Sequence, residues 1–249
     1  MFGGRYYVAT QQQDEGVTMS LTLYYHPLSS YCHKVLIALY ENNVTFEKCL
    51  IDLGNDEERK ALQSVWPIGK FPVIRDHACN RDIPEATIII EYLDHFFAGK
   101  NPLIPTDRDS ALEVRLWDRI FDNYFQSPMQ HIVGDRIRGA NSDLTREKAT
   151  LDTAYKLLDT HMASKKAWVA SDDFSMADCA AAPALFYAGM VHPFPDQFTN
   201  LKAYFDRLVE RPSVKHVLEE AKPYFKFFPF AEATARIAFT SPNFLDKSR

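Results

Sequence analysis

The chain has 249 residues, 46% hydrophobic and 24% charged, a size and composition that predict two modest domains, each with a sizeable core. Its formal net charge of −5 and its lack of any basic run longer than a pair exclude nucleic acid and an anionic membrane surface as expected partners. The longest apolar stretch, residues 179–191, contains Pro183 and Gly189 and falls short of the roughly 18 residues of a membrane-spanning helix.

The first 18 residues are polar and show no clear periodicity, which predicts a flexible N-terminal arm. They contain no continuous apolar leader region. The four cysteines, at positions 32, 49, 79 and 179, show neither paired metal-ligand spacing nor a dense disulfide pattern. A metal site is therefore not expected, and a reducing cytoplasm is the expected compartment.

Residues 19–98 alternate between strand and helix patterns. The predicted elements, in chain order, are a strand from residue 21, a helix over 32–42, a strand over 45–51, a charged helix over 56–64, a proline-broken strand over 70–74, a turn and short strand over 77–83, and a helix over 87–97. The βαβα opening predicts a small α/β domain.

A linker follows, because the segment between residues 98 and 109 contains two prolines and then the cap-like residues Thr106 and Asp107. Beyond it, apolar residues recur at helical spacing and no strand alternation is sustained. Residues 109–228 are therefore predicted to form an all-helical domain. The aromatic and proline-containing end, residues 229–249, is predicted to be a tail folded over the surface.

The first strand leads through a proline turn into Ser29, three residues before Cys32, at a predicted helix start. Unpaired backbone N–H groups and the helix dipole stabilise an anion there, so a thiolate at that place has a lowered pKa. Since a serine cannot form a dithiol pair, Ser29 is expected to donate a hydrogen bond to a thiolate that belongs to a ligand. Another interpretation stays open for Ser29 and Ser30, which would only cap the helix. Cys32 is either a packing residue or a thiol-transfer group.

Four motifs, in order between about residues 19 and 228, resemble the glutathione S-transferase family. The first, residues 29–35 (SSYCHKV), resembles its serine-type active site, which implies that Ser29, with Ser30 as a nearby substitute, stabilises the glutathione thiolate. The second, residues 66–73 (WPIGKFPV), resembles a stretch in which a cis proline, here Pro72, turns the preceding backbone outward. Phe71 would then pair with the peptide part of glutathione.

The third motif, residues 85–93, resembles a segment whose acid and hydroxyl hold the γ-glutamyl group of glutathione at a helix N-terminus. Glu85 matches, whereas Ala86 replaces the serine, so Thr87 or backbone N–H groups are left to supply that contact. Lys70 is either a surface charge or a partner of the glycyl carboxylate. The fourth motif, residues 174–183, resembles a helix cap in which Ser175 and Asp178 pair.

The resemblance implies a thioredoxin-like domain over residues 19–98 followed by the all-helical domain, with glutathione as co-substrate, no metal, and a homodimeric, cytoplasmic assembly. The expected activity is detoxification, by conjugation of glutathione to a small apolar electrophile. Tyr124, Phe125 and Met129 are expected to line the electrophile pocket or to be core residues. The alternatives are a non-catalytic glutathione-binding or interaction protein, and a glutathione-dependent thiol transferase or peroxidase.

Overall fold

The computed structural model describes residues 20–97, 99, 102–164 and 166–233. The predicted arm lies outside the described residues, and so does the tail beyond residue 233. The strands are β1 Leu21–Tyr25, β2 Glu47–Leu50, β3 Val73–Asp76 and β4 Arg81–Pro84. The helices are α1 Ser30–Glu41, α2 Asp56–Val65, α3 Ala86–Phe96, α4 Arg108–Ile120, α5 Ser127–Arg138, α6 Thr145–Met162, α7 Met176–Val191, α8 Thr199–Glu210 and α9 Pro212–Ala221.

The four strands form one mixed sheet in the order β2-β1-β3-β4. β1 and β2 are parallel because α1 carries the chain back between them, and β3 and β4 each pair antiparallel with their neighbour. Leu23 and its β3 partner Ile74 are buried with residues of α1 and α3, whereas Tyr24 and its partner Val73 pack with Leu62 of α2. The alternation of side chains along β1 therefore covers both faces of the sheet.

The predicted order of strands and helices in this domain is confirmed. The strand expected over residues 70–74 begins only at Val73, because Pro72 has no N–H to donate to a neighbouring strand. The fold is thus a thioredoxin-like sheet domain followed by a helical domain, as the resemblance implied. None of the helices that the structure describes has the length and apolar character needed to cross a membrane.

In the helical domain, α4 passes through a π-helical turn, Phe121–Gln126, directly into α5. The carboxylate of Asp107 caps α4 by accepting the N–H of Ser110 at 2.9 Å. Two short 3₁₀ helices, Lys222–Phe227 and Ala231–Ala233, follow α9.

Helix α7 forms the centre of the helical domain, and nearly every side chain in it is buried. The predicted cap at its start is confirmed. The Asp178 carboxylate accepts the backbone N–H of Ser175 at 2.9 Å, and the Ser175 side chain accepts the backbone N–H of Asp178. Asp178 also accepts the N–H of Val169 at 3.0 Å and the hydroxyl of Tyr204 at 2.6 Å. The cap therefore joins α7 to α8 and to the preceding loop.

One apolar stripe of α4 faces outward. Leu112 and Leu116 have the helical spacing of a core stripe, but they are 67% and 51% exposed. The buried side of α4 consists instead of Ala111, Val114, Trp117 and Asp118. The spacing predicted the helix correctly, although the exposed stripe has no cover in the part of the chain that the structure describes.

Candidate functional site

Ser29 is the N-cap of α1, with extended backbone angles of φ −82° and ψ 117°. Its Oγ accepts the backbone N–H of Cys32 at 3.3 Å, and a hydroxyl that accepts in this way can still donate its proton. Cys32 is completely buried, and burial raises its pKa to about 12. The position of Cys32 fits a packing residue better than a reactive thiol.

Ser30 begins α1 and is also buried. Its Oγ accepts a hydrogen bond from Nε2 of Gln130 on α5, at 3.3 Å. The start of α1 is therefore tied to the helical domain at the position next to Ser29.

A cavity of about 560 Å³, here called the polar cavity, lies where the Phe71–Pro72 turn, the start of α3 and the end of α4 meet. Its lining consists of Tyr31, Trp66, Lys70, Phe71, Pro72, Glu85, Ala86, Thr87, Ile88, Arg119, Asp122 and Asn123. The peptide bond between Phe71 and Pro72 is cis, as the second motif indicated. All the residues that the sequence assigned to glutathione binding thus line a single cavity.

The start of α3 has the backbone of an anion site. Glu85, the N-cap of α3, has a φ of +69°, a left-handed conformation that a residue with a side chain rarely adopts, and its side chain makes no capping hydrogen bond. Because Ala86 is buried and has no hydroxyl, a carboxylate placed here would be bound by the unpaired backbone N–H groups of the first helical turn.

The hydroxyl of Thr87 already has partners. It accepts from Nζ of Lys34 at 2.9 Å and donates to Oδ2 of Asp118 at 2.8 Å. It also contacts the guanidinium of Arg119. The sequence-based suggestion that Thr87 replaces the missing serine hydroxyl therefore conflicts with its position, because two buried charges hold that hydroxyl.

These contacts belong to a charged cluster of Lys34, Thr87, Asp118, Arg119 and Asp122. Lys34 is completely buried, with Nζ at 2.6 Å from Oδ1 of Asp118 and 3.0 Å from Oδ2 of Asp122. Arg119 pairs with both aspartates from the more exposed side. Two cations thus balance two carboxylates beneath the polar cavity. Sequence reasoning missed Lys34 and Arg119, although a lysine inside an apolar stretch of α1 was a signal.

A second cavity of about 260 Å³, here called the apolar cavity, lies on the other side of the start of α1. It is lined by His26, Leu28, Ser30, Met129, Gln130, Val133, Ile137, Tyr187, Phe227, Phe228 and Pro229. Ser30 and Tyr31, which are adjacent in sequence, therefore face different cavities. Ser29 lies next to them at the end of the helix but lines neither cavity.

Of the three residues expected in the electrophile pocket, only Met129 lines the apolar cavity. Phe125 is completely buried, with its ring 5.1 Å from that of Phe121 and 5.9 Å from that of Tyr155, so it is a core residue. Tyr124 is half exposed and faces α6. Both aromatic residues lie in the π-helical turn, which has more residues per turn than an α-helix. The 3.6-residue spacing of an α-helix therefore gives the wrong direction for their side chains.

His26 stands between the two cavities. Its ring stacks on that of Phe71 in the polar cavity at 6.0 Å while it lines the apolar cavity. Burial lowers its pKa, so the ring is neutral at pH 7. Because Nδ1 accepts the N–H of Leu28 at 3.2 Å, the ring proton is on Nε2. His26 therefore offers an N–H donor where the cavities approach each other.

Comparison with known proteins gives matches over both domains. The family described as "Glutathione S-transferase, N-terminal domain" matches residues 23–101, and "Glutathione S-transferase, C-terminal domain" matches residues 120–212. "Glutathione S-transferase F6" from Arabidopsis thaliana is 28% identical over 205 residues, which is 78% of this chain and 96% of that protein. The "Stringent starvation protein A homolog" from Coxiella burnetii is 30% identical over 210 residues, 81% of this chain and 93% of its own length.

A solved structure has the same fold. A glutathione S-transferase from Methylobacillus flagellatus, determined with glutathione bound, superposes with a TM-score of 0.69 at 23% identity. The match covers 80% of this chain and 98% of that one.

Proposed function

Because the chain belongs to the glutathione S-transferase family, we propose that it joins the sulfur of glutathione to a small apolar electrophile. The observation that carries the proposal is the polar cavity, where the second and third motifs meet beside the start of α1. Glutathione lies along this cavity, with its γ-glutamyl group at the start of α3 and its peptide backbone against Phe71. Lys70 reaches its glycyl carboxylate.

The sulfur then lies at the N-terminus of α1, between the two cavities. A free thiol has a pKa near 8.5 and is mostly protonated at neutral pH, so lowering that pKa raises the thiolate fraction. The Ser29 hydroxyl and the unpaired N–H groups of α1 stabilise the thiolate, with Ser30 as the nearby substitute. The electrophile, held in the apolar cavity against Met129, is attacked at short range.

Replacing Ser29 tests this mechanism directly. Ser29→Ala should lower kcat/KM for a conjugation substrate by about ten- to a hundredfold, or roughly 1.4–2.7 kcal/mol, and move the pH–rate profile to higher pH. Cys32→Ala is the matched control and should mainly lower stability. Full activity and an unshifted profile in Ser29→Ala would pass the role to Ser30 or the backbone. Turnover abolished only in Cys32→Ala would favour the thiol-transferase alternative.

Replacing Glu85 tests the binding step alone. Glu85→Ala should weaken glutathione binding by about 1.5–3 kcal/mol in calorimetry, because a charge-assisted contact with the ligand ammonium is lost. Glu57→Ala, an exposed acid in the first turn of α2, is the control and should leave the affinity unchanged. Equal affinities for the two variants would remove Glu85 from the site.

A second candidate function is a non-catalytic glutathione-binding protein of the same fold. It is favoured by Ala86, which leaves the start of α3 without the family's serine, and one similar protein is named as a stringent starvation protein rather than a transferase. Binding of glutathione without turnover of any electrophile in a broad panel would support this candidate.

We also propose that the protein acts as a homodimer in the cytoplasm. The outward stripe of Leu112 and Leu116 on α4, with exposed Ile88 on α3, supplies an apolar surface for a second copy. One chain has a mass of 28.6 kDa. Light scattering should give twice this mass for the wild type and the mass of one chain for Leu112→Glu.

A further inference from the structure

Arg119, in the last turn of α4, has hydrogen-bond donors that the charged cluster does not use. Its Nε and Nη2 donate to Oδ2 of Asp118 at 3.1 and 2.7 Å, and Nη2 also contacts Asp122 and the hydroxyl of Thr87. Nη1 carries two more N–H groups, and it has no hydrogen-bond partner among the residues that the structure describes. Since 51% of its side chain is exposed, Arg119 can bind a ligand without leaving the cluster.

The contact with Thr87 places the guanidinium beside the first turn of α3. Thr87 is the second residue of that helix, after Ala86, and both residues line the polar cavity together with Arg119. The backbone N–H groups of this turn are unpaired, and the γ-glutamyl group of glutathione is proposed to lie against them. Arg119 therefore brings a positive charge from the helical domain to the anion site of the sheet domain.

The charges of glutathione can be paired one by one with those of the polar cavity. The charged side chains among its described lining are Lys70, Glu85, Arg119 and Asp122. Under the proposed function, Glu85 pairs with the ligand ammonium and Lys70 with the glycyl carboxylate. Asp122 is already paired with Lys34 and Arg119. The carboxylate of the γ-glutamyl group is then the ligand charge that still needs a partner, and Arg119 is the cation that remains in this lining.

The neighbouring groups cannot take this role. Lys34 is completely buried, and the three N–H groups of its ammonium have three partners, Oγ1 of Thr87 at 2.9 Å, Oδ1 of Asp118 at 2.6 Å and Oδ2 of Asp122 at 3.0 Å. Ala86 has no hydroxyl to donate. A charge-assisted hydrogen bond from a guanidinium is also about twice as strong as one from a neutral hydroxyl.

We propose that Arg119 binds the carboxylate of the γ-glutamyl group and so takes the place of the serine that is missing at Ala86. The inference rests on the proposed function, because it requires glutathione in the polar cavity. It deepens that function by naming a residue of the helical domain that determines which thiol peptides bind. Peptides with a free carboxylate at the γ-glutamyl end are selected over those without one.

Three S-methylated peptides separate this contact from its neighbours. They are S-methylglutathione, an analogue with 4-aminobutanoate in place of glutamate, which lacks only the carboxylate, and an analogue with glutarate, which lacks only the ammonium. Methylation removes the thiol, so thiolate stabilisation does not enter the affinities. Calorimetry measures the Kd of each peptide for the wild type, Arg119→Met and Arg115→Met. Arg115 is the matched control, because it lies one turn earlier on α4 and pairs with Glu91 at 2.7 Å, outside the described lining of the cavity.

The wild type should bind S-methylglutathione more tightly than the 4-aminobutanoate analogue. Arg119→Met should lower this ratio of affinities by about tenfold, because a charge-assisted hydrogen bond is lost, and Arg115→Met should leave it unchanged. The corresponding ratio for the glutarate analogue should be the same in all three proteins, since Glu85 pairs with the ammonium. An equal 4-aminobutanoate ratio in the wild type and in Arg119→Met would overturn the inference and leave the glutathione site standing.

A second variant keeps the test valid if Arg119→Met does not fold. Arg119→Gln retains an N–H donor for Asp118 but has no charge, so it should lower the 4-aminobutanoate ratio to a similar extent, and an unchanged ratio would again overturn the inference. Failure of the wild type to bind S-methylglutathione would reject the proposed function together with the inference. A ratio that depends on Arg119, without turnover of any electrophile, would retain the inference and favour the non-catalytic candidate.

Discussion

The buried polar groups on the two sides of helix α1 differ in whether they have hydrogen-bond partners. Towards the polar cavity, the charged cluster pairs Lys34 with Asp118, Asp122 and Thr87, so its ammonium has several close partners. Towards the apolar cavity, the hydroxyl of Tyr187 has no partner in the described chain. Paired groups of this kind stabilise the fold, whereas an unpaired buried hydroxyl lowers its stability. The following predictions test that division.

The largest effect is expected on the paired side. Lys34→Met should lower the free energy of unfolding by about 3–5 kcal/mol, because it removes the buried cation of the network and leaves only the half-exposed Arg119 to balance Asp118 and Asp122. Urea unfolding followed by circular dichroism measures this loss. Such a loss is a large fraction of the roughly 5–15 kcal/mol that stabilises a typical protein.

Lys48→Met is the matched control, because Lys48 also pairs with a carboxylate, that of Glu220, but on the partly exposed surface. It should cost less than about 1 kcal/mol. Similar losses of unfolding free energy in the two lysine variants would show that burial does not increase the contribution of the charged cluster to stability.

His33 precedes Lys34 and lies on the uncharged side of α1, beside Tyr187. Burial lowers its pKa from 6.5 to about 4, and its Nε2 hydrogen-bonds the carbonyl of Pro27 at 2.6 Å. Between pH 6.5 and about pH 4, His33 binds a proton in the unfolded chain but not in the folded chain. Stability should therefore fall as the pH drops through this window, by about 2 kcal/mol between pH 7 and pH 5.

His33→Gln removes this titration and keeps an N–H donor for Pro27. The difference between the unfolding free energies at pH 7 and pH 5 should be about 2 kcal/mol smaller in the variant than in the wild type. The same pH dependence in both proteins would mean that His33 is not the group responsible.

The smallest effects separate the two tyrosines. Tyr155→Phe should cost about 0.5–1.5 kcal/mol, because the carbonyl of His192 loses its donor. Tyr187→Phe should cost nothing or raise the melting temperature slightly, since an unpaired buried hydroxyl is removed. Calorimetric unfolding of the two variants measures both, and an equal loss in each would show that Tyr187 has a partner in the protein.

The sequence could predict what depends on near neighbours. Ser175 and Asp178 are three residues apart, so their cap can be read from the chain, whereas the cis bond before Pro72 is implied only by the family resemblance. The order of strands and helices follows from patterns of the same short range. The residues that the family motifs predict to bind glutathione line one cavity in the structure.

The sequence could not predict contacts between distant positions. Lys34 meets Thr87, 53 residues away, and Asp122, 88 residues away, and no local pattern links them. The sequence therefore gives no sign that Lys34 and Asp118 hold the hydroxyl of Thr87, which was one candidate for the contact of the missing serine. The sequence leaves Phe125 open between the electrophile pocket and the core, because a π-helical turn depends on tertiary packing that hydrophobic spacing does not reveal.

The outer wall of the apolar cavity has a consequence for how this protein can diversify. Phe227, Phe228 and Pro229 are consecutive in sequence and follow α9, outside the sheet and the long helices. Arg136 holds this segment from α5 by pairing with Glu232 and by lying 4.2 Å from the ring centroid of Phe230. Under the proposed function, substitutions in this short segment change the shape of the apolar cavity and leave the start of α1 intact, so the range of electrophiles can evolve separately from the thiolate site.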